Sequence, residues 1–211
     1  MSFIVRLMFV VISLATCLTT ARADDSVPGN DSIAVFAGQA TWTNFVESMY
    51  APWRNDMADL GVVGLAYSHR FGSVNDITGG ILPPVIGDHL FVEGEVGGSF
   101  RFGDEDLGEG WAAAYLRYDN LPWNDYVYTT IAVNTGVSYL TETSEFERSR
   151  DSKSEAAKLL HYMGPEITFA NPENKNLELL VRYHHRSGVF GLFDDVVSGS
   201  TFITAGLRYR F

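Results

Sequence analysis

The sequence predicts an all-β fold, an eight-stranded antiparallel transmembrane β-barrel of the outer membrane. Apolar and polar residues alternate along successive segments, which is the period of a β-strand. Eight such segments can be placed, and bacterial membrane barrels have an even number of strands. The chain is 46% hydrophobic, yet its mean hydropathy is zero. That balance is expected when lipid-facing and lumen-facing residues alternate along every strand.

The first 23 residues predict a secretory signal peptide. Arg6 precedes an apolar stretch over residues 7–18, and the small residues of 21–23 form a cleavage site of the A-x-A kind. A lipoprotein anchor at Cys17 is the weaker alternative, because a threonine precedes this cysteine. Since Cys17 is the only cysteine and leaves with the signal, thiol chemistry is excluded from the mature chain.

Residues 24–211 are expected to form one barrel domain. The chain has 26 acidic against 15 basic residues and a net charge of −11, which argues against nucleic acid as a partner. The strands are predicted over residues 33–41, 60–71, 89–102, 110–118, 126–140, 158–169, 177–187 and 201–211.

Three of these strands show the alternation most clearly. In the third, Glu93, Glu95 and Arg101 alternate with apolar residues and are expected to face the lumen, because a charge facing lipid costs a few kcal/mol. The seventh, LELLVRYHHRS, and the eighth, TFITAGLRYRF, repeat the pattern with arginines between apolar residues. A small barrel with such an interior is filled by side chains and does not form a pore.

Strand counting then assigns the connections. With both termini in the periplasm, the loops at 42–59, 103–109, 141–157 and 188–200 are extracellular. The connection 72–88 is longer than a periplasmic turn usually is. A soluble, lipocalin-like barrel has the same period of two and stays open as an alternative at this point.

A candidate catalytic pair lies at the end of the seventh strand. His185 and Ser187 are two residues apart, so they share one face with Cα atoms roughly 6.5 to 7 Å apart. An imidazole can then take the proton of a serine that attacks an ester carbonyl. Parity places both on the outer wall, within reach of an acyl ester in the outer leaflet. His184 and His185 do not form a metal pair, because adjacent strand residues point to opposite faces, and His161 is interpreted as structural.

Two features together resemble a known family. The chain ends at Phe211 with Tyr209 two positions earlier, similar to the C-terminal signature of outer-membrane barrels, and His-x-Ser lies on the penultimate strand. This resembles the lipid A 3-O-deacylase (PagL) family of outer-membrane acyloxyacyl hydrolases. The resemblance implies a carboxylic ester hydrolase without metal or cofactor that removes an acyl chain from the lipid A part of lipopolysaccharide, with Ser187 as nucleophile and His185 as base.

The sequence departs from that family at two positions. Gly188 stands where the family has an asparagine after the serine, so a backbone N–H would serve the oxyanion. Gly199 stands near the position of the family's glutamate, and the nearest acids are Asp194 and Asp195, of which Asp195 is favoured by parity. The alternative is a non-catalytic barrel with a structural or loop-presenting role, of unknown oligomeric state.

Overall fold

The protein is a closed barrel of eight antiparallel strands, each paired with its neighbours in chain order, and β1 pairs with β8 to close it. A computed structural model describes residues 28–150, 156–189, 192 and 199–211. The predicted signal peptide 1–23 and Asp195 lie outside these residues. The strands are β1 Asp31–Thr41, β2 Met57–Ser73, β3 Leu90–Gly103, β4 Leu107–Tyr118, β5 Tyr128–Leu140, β6 Leu159–Asn171, β7 Asn174–Ser187 and β8 Gly199–Arg210.

The predicted fold class and strand number are confirmed, and each strand end lies within three residues of its predicted position. The Asp31 N–H donates to the Phe211 carbonyl at 3.2 Å, so the start of β1 and the end of β8 meet at one rim of the barrel. The loops after β1, β3, β5 and β7 therefore lie at the opposite rim, which is the predicted extracellular one.

The exterior of the barrel is apolar and its interior is charged. Buried and more exposed residues alternate along β3 and β7, and Glu93, Arg101 and Arg182 point inward as predicted. Large apolar side chains are exposed all around the outside, among them Ile33, Val63, Val96, Leu116, Ile131 and Leu179. An apolar outer surface around a charged lumen is the arrangement of a barrel embedded in the outer membrane, not of a soluble barrel with an apolar core.

Four short helices lie in the connections. They are α1 Phe45–Tyr50, followed by a 3₁₀ turn at Pro52–Arg54, then α2 Val74–Thr78, α3 Pro84–Gly87 and α4 Glu145–Arg150. In the part of the chain that the structure describes, no helix is long and apolar enough to cross a membrane.

The long connection 72–88 is folded into α2 and α3. Ser73 and Asp76 form a reciprocal capping box at the start of α2, and Gly79 ends the helix in the left-handed conformation. The Asn75 amide donates to the Leu82 carbonyl at 3.1 Å and to the Asp88 carboxylate at 2.7 Å. This connection is therefore an ordered cap on the periplasmic rim.

The lumen is filled by charged side chains. Glu166 contacts three arginines, with N···O distances of 2.7 Å to Arg117, 2.6 Å to Arg182 and 2.6 Å to Arg208. Among the described residues, seven arginines and six glutamates are buried: Arg70, Arg101, Arg117, Arg182, Arg186, Arg208, Arg210, Glu93, Glu95, Glu109, Glu147, Glu166 and Glu178. Alternating signs let each charge find partners, which offsets the cost of taking it out of water.

Candidate functional site

The two residues of the His-x-Ser motif lie on the outer wall near the extracellular end of β7. His185 and Ser187 are both half-buried. His184, which precedes them, and Arg186, which lies between them, are fully buried inside the barrel. The parity expected from the sequence is thus the one the barrel has. The pair shares one outward face two residues apart.

The imidazole of His185 is held from the neighbouring strand. Its Nδ1 lies 2.9 Å from the Ser200 carbonyl oxygen and 2.9 Å from the Thr201 hydroxyl. His185 and Thr201 are direct partners in the ladder between β7 and β8. A carbonyl can only accept, so Nδ1 carries the hydrogen and Nε2 keeps its lone pair. That tautomer is the one a general base needs.

Ser187 lies between two neighbouring strands at the same height. It pairs with Gly199 on β8 and with His161 on β6, and its Oγ accepts the Val189 N–H at 3.1 Å. His161 also faces outward, and its Nε2 lies 2.8 Å from the Thr135 hydroxyl. No spacing or motif in the sequence groups His161 with His185 and Ser187. Strand register brings it opposite the serine.

The other two predicted site residues stand differently. Gly188 directly follows β7, in position to offer a backbone N–H beside the serine, and its oxyanion role remains a prediction. Asp195 lies outside the described residues, so its proposed role as orienting acid is also still a prediction. Within the described residues the partners of His185 Nδ1 are the Ser200 carbonyl and the Thr201 hydroxyl, neither of which is a carboxylate.

Helix α1 covers this part of the wall from outside. The Phe45 ring stacks on the His185 ring with centroids 4.2 Å apart and planes 9° apart. The Tyr183 hydroxyl donates to the Ser48 carbonyl at 2.7 Å. Thr201 faces outward on the neighbouring strand, yet only 1% of it is exposed. Nothing in the sequence motif pointed to Phe45 as part of the site.

A second polar cluster closes the extracellular end of the lumen. Helix α4 starts at Ser144, whose Oγ accepts the Glu147 N–H at 3.1 Å, and the Glu147 side chain turns into the barrel mouth. One oxygen, Oε1, lies 3.3 Å from Arg101 and 3.0 Å from Arg186 and accepts the Ser200 hydroxyl at 2.7 Å. Helix α4 therefore plugs the mouth of the lumen with a carboxylate.

The same helix is tied to the first extracellular loop. An Arg150 guanidinium nitrogen donates to the Thr41 carbonyl at 2.5 Å and another to the Thr43 carbonyl at 3.3 Å. The Phe146 ring packs against Trp42 with centroids 4.4 Å apart. Helix α4 and the start of the first extracellular loop are therefore fixed to each other at the mouth of the barrel.

Comparison with known proteins finds likeness only in solved structures. No family model matches the chain, and no curated protein matches it either. Neisserial surface protein A is 10% identical, covering 88% of this chain and all of that one, with a TM-score of 0.49. The N-terminal barrel domain of Pseudomonas aeruginosa OprF is 9% identical, with coverage of 88% and 100% and a TM-score of 0.47. Ail of Yersinia pestis is 17% identical, with coverage of 85% and 99% and a TM-score of 0.41.

These likenesses concern the barrel as a whole. The strand order, the apolar exterior and the charged interior of the chain itself define its class. It is a small, closed, eight-stranded β-barrel of the bacterial outer membrane.

Proposed function

We propose that this protein is a non-conducting barrel that holds its extracellular loops in fixed positions at the cell surface. The observation that carries the proposal is the filled lumen. Glu93 and Glu166 each bridge arginines from three different strands, and Glu178 on β7 contacts two arginines of β8, so the charges neutralise one another across the barrel. An interior built this way resists the passage of solutes and ties the strands together.

The loop contacts support the same proposal. Glu147 anchors the third extracellular loop inside the mouth, and Arg150 joins that loop to the first one. Loops that merely connected strands would not need a fully buried carboxylate. A fixed extracellular surface is what a loop-presenting barrel offers to a partner, since less ordering entropy is lost when the partner binds.

Conductance measurements test the closed lumen. The full chain, folded and inserted into planar lipid bilayers, is expected to give no discrete channel events. The double variant Arg117→Ala and Arg182→Ala serves as the comparison, because removing these two side chains empties the centre of the lumen. Regular channel events from the wild-type protein would overturn the proposal.

A second candidate function is ester hydrolysis on lipid A, and one observation specifically favours it. The hydrogen bond from His185 Nδ1 to the Ser200 carbonyl leaves Nε2 free of hydrogen on the wall that Ser187 shares. In this reaction Ser187 Oγ attacks the acyl carbonyl as Nε2 takes its proton, and the Gly188 N–H stabilises the oxyanion. The ester C–O bond then breaks as Nε2 gives the proton to the leaving sugar oxygen, which departs as a hydroxyl and leaves the acyl chain on Ser187. A water molecule deprotonated by Nε2 attacks this acyl-enzyme, releases the fatty acid and restores the serine hydroxyl. Asp195 would orient the imidazole where the family has a glutamate.

One experiment separates the two candidates. Lipid A from cells that express the wild-type protein is analysed by mass spectrometry, beside cells that express Ser187→Ala or His185→Asn. The loop-presenting function predicts identical lipid A in all three strains. Hydrolysis predicts loss of one ester-linked acyl chain with the wild type alone. Surface amounts of each variant must match for the comparison to count.

A further inference from the structure

Helix α1 and its 3₁₀ turn expose a cluster of large apolar side chains away from the barrel. The exposed fractions are 62% for Val46, 41% for Met49, 65% for Tyr50 and 78% for Trp53. These four residues lie within eight positions of one another on a short loop. In water such a cluster would be an unfavourable exposed patch, and patches of this kind mark contact surfaces.

The opposite side of the segment is fixed to the outer wall. Phe45 stacks on His185, and the Ser48 carbonyl accepts the Tyr183 hydroxyl. Ser48 and Ala51 are buried beneath the segment. The loop therefore does not extend above the barrel. It lies against the outside of β7, and its free side faces away from the wall.

The position along β7 identifies what the free side meets. Tyr183, which α1 contacts, is two and four residues from Val181 and Leu179 on the same outward face. Leu179 is exposed and belongs to the apolar surface that the barrel presents to lipid. Each step of two residues along a strand is about 6.5–7 Å, so α1 directly adjoins the lipid-facing surface.

The charged and capping groups of the segment lie in its first turn and at its end, and the Glu47 carboxylate in that first turn accepts the Asn44 amide at 3.2 Å. Asn44 caps α1 through its side-chain oxygen, which accepts the Glu47 N–H at 2.9 Å. Arg54 ends the 3₁₀ turn and Asp56 follows it, and both are exposed. A long arginine side chain can reach from the membrane interface to the headgroups. Aromatic residues such as Tyr50 and Trp53 favour this same interface.

We propose that α1 and the 3₁₀ turn form an interfacial segment, defined here as residues 45–54, that is inserted into the outer leaflet against β7. Its partner is the acyl-chain region of outer-leaflet lipid. The apolar side chains of the segment extend the lipid-facing surface of the barrel outward. They are expected to be buried about 5–10 Å into the boundary between headgroups and acyl chains, as in other interfacial helices. The proposal does not depend on whether the barrel is an enzyme.

Depth-dependent fluorescence quenching tests the proposal. Single cysteines are introduced as Val46→Cys and Trp53→Cys in the full chain carrying Cys17→Ser, and each is labelled with an environment-sensitive nitrobenzoxadiazole dye. Both positions are exposed, so packing on the wall is kept, and heat-modifiable gel mobility verifies folding. The probes are phosphatidylcholine vesicles with brominated acyl chains and, separately, aqueous iodide.

Two control positions calibrate the measurement. Leu179→Cys reports a side chain on the lipid-facing wall, and Glu145→Cys reports an exposed extracellular loop with 74% side-chain exposure. Bromolipid is expected to quench dyes at positions 46 and 53 as strongly as at 179, with iodide quenching reduced relative to 145. Values equal to those at position 145 for both quenchers would overturn the proposal.

A second copy of the chain is the competing occupant of this surface. Contact with another barrel would protect positions 46 and 53 from iodide and from bromolipid alike, and the protection would disappear on dilution of the protein in lipid. That result would also overturn the proposal. Bromolipid quenching that stays constant at all protein-to-lipid ratios supports lipid as the partner.

Discussion

The plug that Glu147 forms in the barrel mouth can be removed without changing the volume of the side chain. In Glu147→Gln, the negative charge between Arg101 and Arg186 is lost while the shape is kept. Glu147 and both arginines are fully buried. Two buried cations are then left with one partner fewer, and helix α4 loses the interaction that holds it in the mouth.

The expected cost can be estimated from the remaining contacts. Removing one partner of a buried ion pair costs roughly 3–5 kcal/mol. Arg101 keeps Glu109 at 2.9 Å, and Arg186 keeps the Ala157 carbonyl at 2.8 Å, so the lower end applies. We expect about 3 kcal/mol, which corresponds to an about 100-fold increase in the equilibrium population of the detached helix. The barrel strands keep their own pairing, so the loss is local.

Trypsin cleavage measures this local opening. Arg148 and Arg150 lie in α4, and the carbonyl contacts of Arg150 keep the second site protected. Cleavage after Arg150 of the folded, membrane-inserted protein should accelerate by about 100-fold in Glu147→Gln when opening is fast relative to cleavage. Glu145→Gln is the matched control, because it removes an equal charge from the same helix at an exposed position. Equal cleavage rates in the two variants would refute the role of Glu147.

Three further outcomes follow from the barrel interior and the periplasmic cap. Glu166→Gln should lower the free energy of unfolding by roughly 3–5 kcal/mol in urea titrations of the inserted barrel, since three buried arginines share this carboxylate. Gly97→Ala should cost about 1–3 kcal/mol in the same assay, because a Cβ would lie 2.1 Å from Trp111, whereas Gly110→Ala has no contact closer than 3.9 Å and should be neutral. Side-chain and backbone hydrogen bonds from the N-cap serine hold the pKa of Asp76 below its ordinary value, so the protection factors of the α2 amides, which correct for the intrinsic pH dependence of exchange, should fall only as the pH drops through that lowered pKa.

The barrel could be predicted from the sequence because charged and apolar residues alternate along the strands with a period of two. A one-residue shift would turn Glu93 or Arg182 toward lipid, at a cost of a few kcal/mol per charge. Charges therefore fix the face of each strand more firmly than apolar residues do. The observed strand ends differ from the predicted ones by up to three residues, since residues outside the membrane are under no such constraint.

The connections were less predictable for the same physical reason. Segment 72–88 reads only as a long turn, although its fold depends on Asn75 meeting Leu82 and Asp88, contacts that no periodicity encodes. Helix α1 is only six residues long, and an isolated helix of that length is not stable in water. It forms because Phe45 and Ser48 find partners on β7, and these partners become neighbours only after the barrel closes.

The candidate site also has a part that the sequence predicts and a part that depends on how the strands pair. His185 and Ser187 could be found because two residues on one strand share a face whatever the rest of the fold does. The group that holds the imidazole comes from a different strand, and the register of β7 with β8 makes Thr201 the direct partner of His185. The residue that orients the histidine is therefore set by strand pairing, and a search for an acid at a fixed sequence spacing does not find it. If the site is catalytic, a carbonyl and a hydroxyl orient its histidine in the described part of the chain, so Thr201→Val should lower turnover more than Thr201→Ser while leaving the barrel folded.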